Sequence, residues 1–370
     1  TAAKRLTLNL AGRLSDYNLA GRTTTNKIGL EWAPIEDVTL RGTWGKAIRA
    51  PNIGEMFTAN TVSGAWLYDP CNTNALVTRT DRTEYTAANC AAINPTNAAT
   101  YWQWLDVIYS GNSGLEPETA KTKTFGVVLR PRFVDNLVVS ADYYDIDLTN
   151  VIAGLAPQTI LNRCVDLASL DNSFCGLVSR DDTTGNLVEV AVQQMNLARS
   201  TARGVDINAS WFHELAGAGR ISLDLNLGRT LERRDIADSA NPDDAWDNLE
   251  IFGTPKWKGS LRTGWSNEKF SAYWTLRGYS RMRASPRVTE ANYDRPWAGS
   301  TFYNDLYASY QITPKFNLSA GMNNMFDRSP PRIPGAEAGG TNFNQGIANT
   351  SSGLYDVIGR TFYVGLRVSL

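Results

Sequence analysis

Residues 360–370 alternate without a break, with Phe362, Val364, Leu366, Val368 and Leu370 apolar and Thr361, Tyr363, Gly365, Arg367 and Ser369 between them. A period of two is that of a β-strand, and this strand has one wholly apolar face and one that carries a charge and hydroxyls. The same pattern recurs along the chain. Near the start it appears at Leu6, Leu8 and Leu10, at Ile28, Leu30 and Trp32, and at Val38, Leu40 and Trp44. It returns at Phe125, Val127 and Leu129, at Val139, Ala141 and Tyr143, at Val205, Ile207 and Trp211, and most cleanly at Ile221, Leu223, Leu225 and Leu227. Leu261 to Trp265, Phe270 to Leu276, Phe302 to Tyr310 and Phe316 to Met322 complete a series of about twelve predicted strands.

The connections between these strands fall into two length classes that alternate. Residues 34–37, 131–136, 213–219, 267–269 and 313–315 read as short turns, whereas 47–117, 149–197, 232–253, 282–299 and 327–356 are long loops. The link at 17–22 is shorter but lies on the long-loop side by parity. Short turns at one end and long loops at the other describe an all-β, antiparallel up-and-down transmembrane β-barrel, with the turns on the periplasmic side. A soluble sandwich has no reason to sort its loops by end. Trp257 and Trp265 share one face of one strand, eight residues apart. Their expected vertical spacing of roughly 20 Å approximates the two aromatic girdles of a lipid-facing band.

Composition agrees with this picture. Hydrophobic residues make up 42% of 370 positions, enough to fold, yet mean hydropathy is −0.30 and no run of apolar residues is long enough for a membrane helix. Barrel strands hide their apolar residues at alternate positions, so such a chain looks soluble on average. The 36 Lys and Arg balance 37 Asp and Glu, so no nucleic-acid partner is implied. No basic segment followed by an apolar core opens the sequence, so any leader is expected to have been removed or to precede a fragment.

Cys71 with Cys90 and Cys164 with Cys175 form two near pairs in polar stretches, and local disulfides are the simplest of three possible connectivities. They imply an oxidising compartment, and each bond would contribute about 3 kcal/mol in the chain-entropy treatment. The spacing is not CxxC and the chain has one His, so no metal site and no cofactor are expected. His213 falls in a predicted turn, and although His213-Glu214 begins like a zinc-protease helix, Gly217 stands where the second ligand would be. No nucleophile elbow, P-loop or dinucleotide fingerprint is present, so catalytic residues are not expected. Asp235, Asp238, Asp243, Asp244 and Asp247 crowd one loop and could bind calcium, but without EF-hand spacing they read rather as a solvated acidic segment.

Residues 45–57, Gly-Lys-Ala-Ile-Arg-Ala-Pro-Asn-Ile-Gly-Glu-Met-Phe, resemble the G-x-A-x-R-A-P-x-x-x-E-L-F stretch of TonB-dependent outer-membrane receptors, with Arg49, Ala50, Pro51 and Glu55 at the matching positions. Residues 114–119, 202–206 and 323–327 resemble that family's L-x-P-E, A-R-G and N-N-L-F-D segments in the family's order. Leu370 departs from the aromatic residue usual at the family's C-terminus. The resemblance implies a bacterial outer-membrane receptor that binds a scarce nutrient and imports it with energy relayed by the TonB complex. Such barrels have 22 strands and a plugged lumen. Residues 1–370 are therefore expected to be the C-terminal part of a barrel whose plug, TonB-binding segment and first strands lie outside them.

Ligand contact in such a receptor is expected from loops with converging aromatic faces. Trp66, Tyr68, Tyr101, Trp102 and Trp104, in the loop that carries Cys71 and Cys90, are the candidates; the alternative is that they form that loop's own small core. Siderophore, oligosaccharide, cobalamin-like cofactor and peptide all remain possible substrates. Lys27, Glu31, Arg41, Arg130, Asp142, Asp206, Arg220, Asp224, Arg262, Arg277 and Arg367 alternate with the lipid-facing residues and are expected to meet plug or water. Rival readings are a freestanding twelve-stranded pore or barrel enzyme, and an adhesin-like surface barrel.

Overall fold

The computed structural model describes residues 4–79, 82–96, 102–239, 245–284, 290, 296–332, 350–351 and 353–369. Its strands are β1 (Arg5–Tyr17), β2 (Gly21–Ile35), β3 (Val38–Arg49), β4 (Thr61–Leu67), β5 (Gln103–Ser110), β6 (Glu118–Leu129), β7 (Val138–Gly154) and β8 (Val178–Arg180). There follow β9 (Leu187–Leu215), β10 (Gly219–Ile236), β11 (Ala245–Asp247), β12 (Trp257–Ser266), β13 (Phe270–Tyr279), β14 (Thr301–Thr313), β15 (Phe316–Asn323) and β16 (Thr361–Val368). Twelve of these pair antiparallel in the order β1-β2-β3-β6-β7-β9-β10-β12-β13-β14-β15-β16, the meander that the alternating pattern predicts. Among the described residues β1 and β16 are each paired on one side and not with each other.

Register keeps the apolar face continuous from strand to strand. Leu6 lies opposite Trp32, which lies opposite Leu40, and the row continues through Val127, Ala141 and Ile207 to Leu227. At the other end Phe316, Leu318, Ala320 and Met322 face Val368, Leu366, Val364 and Phe362. A slip of one residue would send any of these sets to the opposite face. Most of these side chains are exposed, Val364 by 76% and Leu6 by 64%. A row of exposed aliphatic side chains this long is unfavourable in water and is what a sheet in contact with lipid requires.

The short turns all lie at one edge of the sheet. Between β9 and β10 the turn is narrower than expected, because β9 runs to Leu215 and the reversal uses residues 216–218 with Gly217 and Gly219 at positive φ. His213 is therefore a strand residue, not a turn residue, and its ring stacks at 6.1 Å on Trp211 of the same face. Trp265 anchors the neighbouring strand by donating from Nε1 to the Ala218 carbonyl at 2.9 Å.

Across the lumen-facing side, polar groups pair within the wall. Arg41 of β3 reaches over β6 to bind Asp142 of β7 through Nε at 2.7 Å and Nη2 at 2.5 Å. The residue it crosses is Gly126, where an added Cβ would lie 2.0 Å from Asp142 Oδ1. Arg277 pairs with Asp305 at 2.8 Å, and Arg262 lies 4.0 Å from the centre of the Tyr273 ring. Asp206, Asn208, Asn226, Lys258, Arg277 and Tyr279 line a concavity of about 400 Å³ on this face.

The long loops are not separate. β4 pairs antiparallel with β5, β5 runs parallel to the upper part of β9, and β8 pairs with β9 on the other side. Loops 47–117 and 149–197 thus share one sheet, packed by α2 (Thr73–Thr78), α3 (Thr86–Ile93) and α4 (Pro157–Asp166). Their common core includes Leu67, Leu105, Val107, Ile160, Leu161 and Val190.

Candidate functional site

Both disulfides form by local pairing, Cys71 with Cys90 and Cys164 with Cys175, and all four sulfurs belong to the core shared by the two loops. Buried ion pairs cross between the loops. Asp69 accepts from Arg180 at 2.7 and 3.0 Å, and Asp166 accepts from Arg79 at 2.6 Å and from the Thr86 hydroxyl at 2.7 Å. A third long loop joins through Asp238, buried and 3.5 Å from Arg163 of α4. The acidic stretch is thus not simply solvated, since Asp235 also accepts from Ser200 and Asn248. Asp243 and Asp244 lie outside the described residues, and the described ones contain no cluster of His, Cys, Asp and Glu able to hold a metal ion.

On this support the β4–β5 hairpin presents a ribbon of rings. Trp66 lies directly opposite Trp104, their rings meeting edge to face at 5.7 Å, and Tyr68 meets Trp102 in the same way at 5.1 Å. Leu67, Leu105 and Val107 point the other way, into the core. Trp66, Trp102 and Trp104 are 63%, 48% and 58% exposed, so they are not the loop's own core, which the aliphatic face supplies. Gly64 allows Trp104 to lie across the hairpin, since a Cβ there would fall 2.1 Å from its ring. The Tyr68 backbone is held by both ends of the Gln158 amide at 3.0 Å. Tyr101 lies outside the described residues. Aromatic spacing alone raised the candidates; that they share a face follows from a register no local pattern reveals.

The family-like residues occupy the base of this module. Arg49 ends β3, and α1 (Ile53–Phe57) starts after Asn52, whose side chain accepts from the Glu55 amide while Glu55 accepts from the Asn52 amide. This reciprocal cap fixes the turn that Ala50 and Pro51 enter. Arg49 then joins both ends of the loop, binding Glu118 through Nε and Nη2 at 2.6 Å each and Glu55 at 3.0 to 3.1 Å. Glu118 also accepts from the Ile152 amide at 2.9 Å, which brings in the second loop. On the outward side of β6 the apolar belt ends at Phe125, so Glu118 stands clear of the spanning segment. The Arg49 guanidinium holds the Glu118 carboxyl below its ordinary value against burial. Burial acts to raise Glu55, but Arg49 and the Asn52 amide outweigh it and leave it lowered.

The 202–206 and 323–327 segments also have structural work. Tyr144 lies over Gly204, and Arg203 bridges Asp145 and Glu232 at 3.3 and 3.2 Å. Asn324, fully buried with φ 49°, exchanges hydrogen bonds with the Arg328 backbone, while Asp327 accepts from the Arg360 amide at 2.9 Å and locates β16.

An antiparallel meander with an outward apolar face, short turns below and a disulfide-bonded module above defines an outer-membrane receptor barrel. The chain belongs to the TonB dependent receptor-like, β-barrel family, whose profile matches residues 1–325, and members of this family reside in the bacterial outer membrane. The ferric enterobactin receptor of Pseudomonas aeruginosa is 24% identical over 300 residues, 77% of this chain and 35% of that protein. A crystal structure of a point mutant of the ferric enterobactin receptor from Pseudomonas aeruginosa in complex with enterobactin aligns at TM-score 0.62 and 18% identity, covering 99% of this chain and 43% of that one. The siderophore receptor PirA from Acinetobacter baumannii aligns at TM-score 0.60 and 15% identity, over 100% of this chain and 44% of its own. The chain therefore spans less than half the length of these relatives.

Proposed function

We propose that residues 1–370 form the C-terminal part of a larger, 22-stranded receptor barrel whose extracellular module captures a small-molecule nutrient for energy-dependent uptake. The observation that carries this reading is the aromatic ribbon of exposed Trp66, Trp102 and Trp104 with half-buried Tyr68 against Trp102, set on a strand pair whose other face is packed into a disulfide-bonded core. Flat, rigid rings bind sugar or aromatic chelator surfaces with little loss of side-chain entropy. A siderophore is favoured over an oligosaccharide because relatives of this chain are named for ferric enterobactin and for siderophores. The plug in the lumen and the TonB complex act through parts of the receptor outside these residues. The protein is read as a transporter and not an enzyme, its lone His213 being stacked on Trp211 at the periplasmic end.

Trp102→Ala with Trp104→Ala tests this reading. Loss of two aromatic anchors should weaken binding of ferric siderophores to the isolated receptor by about thirtyfold or more. It should also abolish growth restoration of a receptor-deletion strain under iron limitation. Unchanged affinity and growth with the module still folded would exclude the ribbon as the ligand site.

A further inference from the structure

On the outward face the chemistry changes where the apolar belt ends on the long-loop side. Trp44, Lys123, Asp145 and Arg203 lie in one row across β3, β6, β7 and β9, and the row above holds Lys46, Lys121 and Asp147. These positions continue the parity of Phe125 and Tyr143, so their side chains point to the surroundings of the barrel, at the level of lipid headgroups.

The ion pairs in these rows leave the lysines out. Asp145 is directly opposite Lys123 and Asp147 directly opposite Lys121, yet each carboxylate pairs with an arginine on its other side, Asp145 with Arg203 at 3.3 Å and Asp147 with Arg199 at 2.8 Å. Among the described residues Lys46, Lys121 and Lys123 have no carboxylate within 4.0 Å. Lys46 and Lys121 are moreover direct cross-strand partners, an arrangement of like charges that repels. An anion with several oxygens, set between the ammonium groups, removes the repulsion and satisfies their donors.

We propose that Lys46, Lys121 and Lys123 form a contact site for the phosphates of a phosphorylated lipid headgroup in the outer leaflet. The occupant is a lipid, not a free anion, because the lysines adjoin a hydrocarbon-facing surface bounded by Trp44 and Phe125 that would take the acyl chains of the same molecule. The proposal rests on the outward face being the lipid face.

The test uses the whole receptor isolated from outer membranes. The triple variant Lys46→Gln, Lys121→Gln, Lys123→Gln is compared with the corresponding triple arginine variant and with lumen-facing Lys27→Gln. Bound bisphosphorylated lipid A is counted by native mass spectrometry, and the thermal shift it produces is set against dephosphorylated lipid A and inorganic phosphate. With about a fivefold effect per lysine near an anionic headgroup, the glutamine variant should bind at least tenfold less. The arginine variant and Lys27→Gln should match wild type, and neither inorganic phosphate nor the dephosphorylated lipid should reproduce the shift. Undiminished binding by the glutamine variant, or an equal shift from inorganic phosphate, overturns the proposal. A fluorophore on Leu8→Cys, quenched by brominated lipid, checks the face independently. Absence of quenching would overturn the lipid-face assignment and the site together, whereas quenching with undiminished binding would overturn the site alone.

Discussion

Substituting Arg49→Ala removes the fork on Glu118 and the bonds to Glu55 in one step, and so takes away the side-chain clamp that ties Glu55 to the Glu118–Ile152 contact at the base of the 50–117 loop. The Glu118 side chain is 9% exposed and would keep the Ile152 amide as its remaining partner, while Arg49 is itself 46% exposed. Two charge-assisted bonds to a buried carboxylate, discounted for an arginine in contact with water, amount to about 2–3 kcal/mol. That corresponds to an opening equilibrium raised roughly 30- to 150-fold.

Hydrogen exchange on the membrane-reconstituted receptor reads this directly. The Asn112 amide, bound to the Glu55 carbonyl at 2.9 Å, and the Ile152 amide should exchange faster by that factor, with the amides of β14 and β15 unchanged. Arg49→Lys keeps the charge but not the fork and should fall between. Acid should act on the same equilibrium. Glu118 and Glu55 both titrate below their ordinary value of 4.5 when folded, so their stabilisation is complete above that value. It is lost as pH falls through the lowered folded values. Wild type should therefore loosen at these amides below about pH 4.5, and Arg49→Ala should show little such dependence. Exchange within twofold of wild type at Asn112 and Ile152 in a folded variant would refute the clamp.

Ile207→Arg, at mid-height of the outward row, should destabilise the barrel by about 2–4 kcal/mol in chemical unfolding from lipid vesicles. The adjacent lumen-facing Asn208→Arg should have far less effect. Gly126→Ala would place a methyl on Asp142 and split the Arg41–Asp142 pair, with an expected loss of about 1–3 kcal/mol in the same assay. Replacing Cys71 and Cys90, or Cys164 and Cys175, by serine opens loops with sequence separations of 19 and 11. Each pair should cost about 3 kcal/mol, seen as faster limited proteolysis of the disulfide-bonded loop module with the spanning strands still protected.

The barrel was legible because its code is local. Each spanning strand announces itself by a period of two, and loop parity orders the strands, so the meander followed from Leu6 to Val368 without any long-range information. What the pattern could not show is where loops meet. Asp106 to Ser110 run parallel to Glu189–Gln193, a contact across more than eighty positions whose strands are ordinary short apolar runs. Nor could it show the separate β4–β5 register that puts Trp66 opposite Trp104, or the folding of the module that brings Asp69 to Arg180. The disulfides were anticipated as pairs, but not that both would enter one core. Likewise the Arg49 motif was visible as a resemblance, whereas its partners, sixty-nine positions away at Glu118 and beyond at Ile152, were not.

The hydrogen-bonded connections of the proposed ligand site decide how a signal from it would reach the barrel. The aromatic ribbon is carried by the β4–β5 pair, and β5 is hydrogen-bonded to β9, which continues without interruption into the lipid-facing wall at Val205 and Ile207. At the height where β9 leaves the module, Asn196 binds the Glu116 backbone and the Asn150 carbonyl, directly above the Arg49–Glu118 fork. A displacement of the ribbon at the proposed ligand site therefore has a short, hydrogen-bonded route to the top of β3, β6 and β7, and, among the described residues, no comparably direct route to β14–β16. If binding is sensed by the barrel wall, the change should appear first in the β3–β9 sector, and Arg49→Ala should attenuate it there while leaving affinity at the ribbon nearly intact.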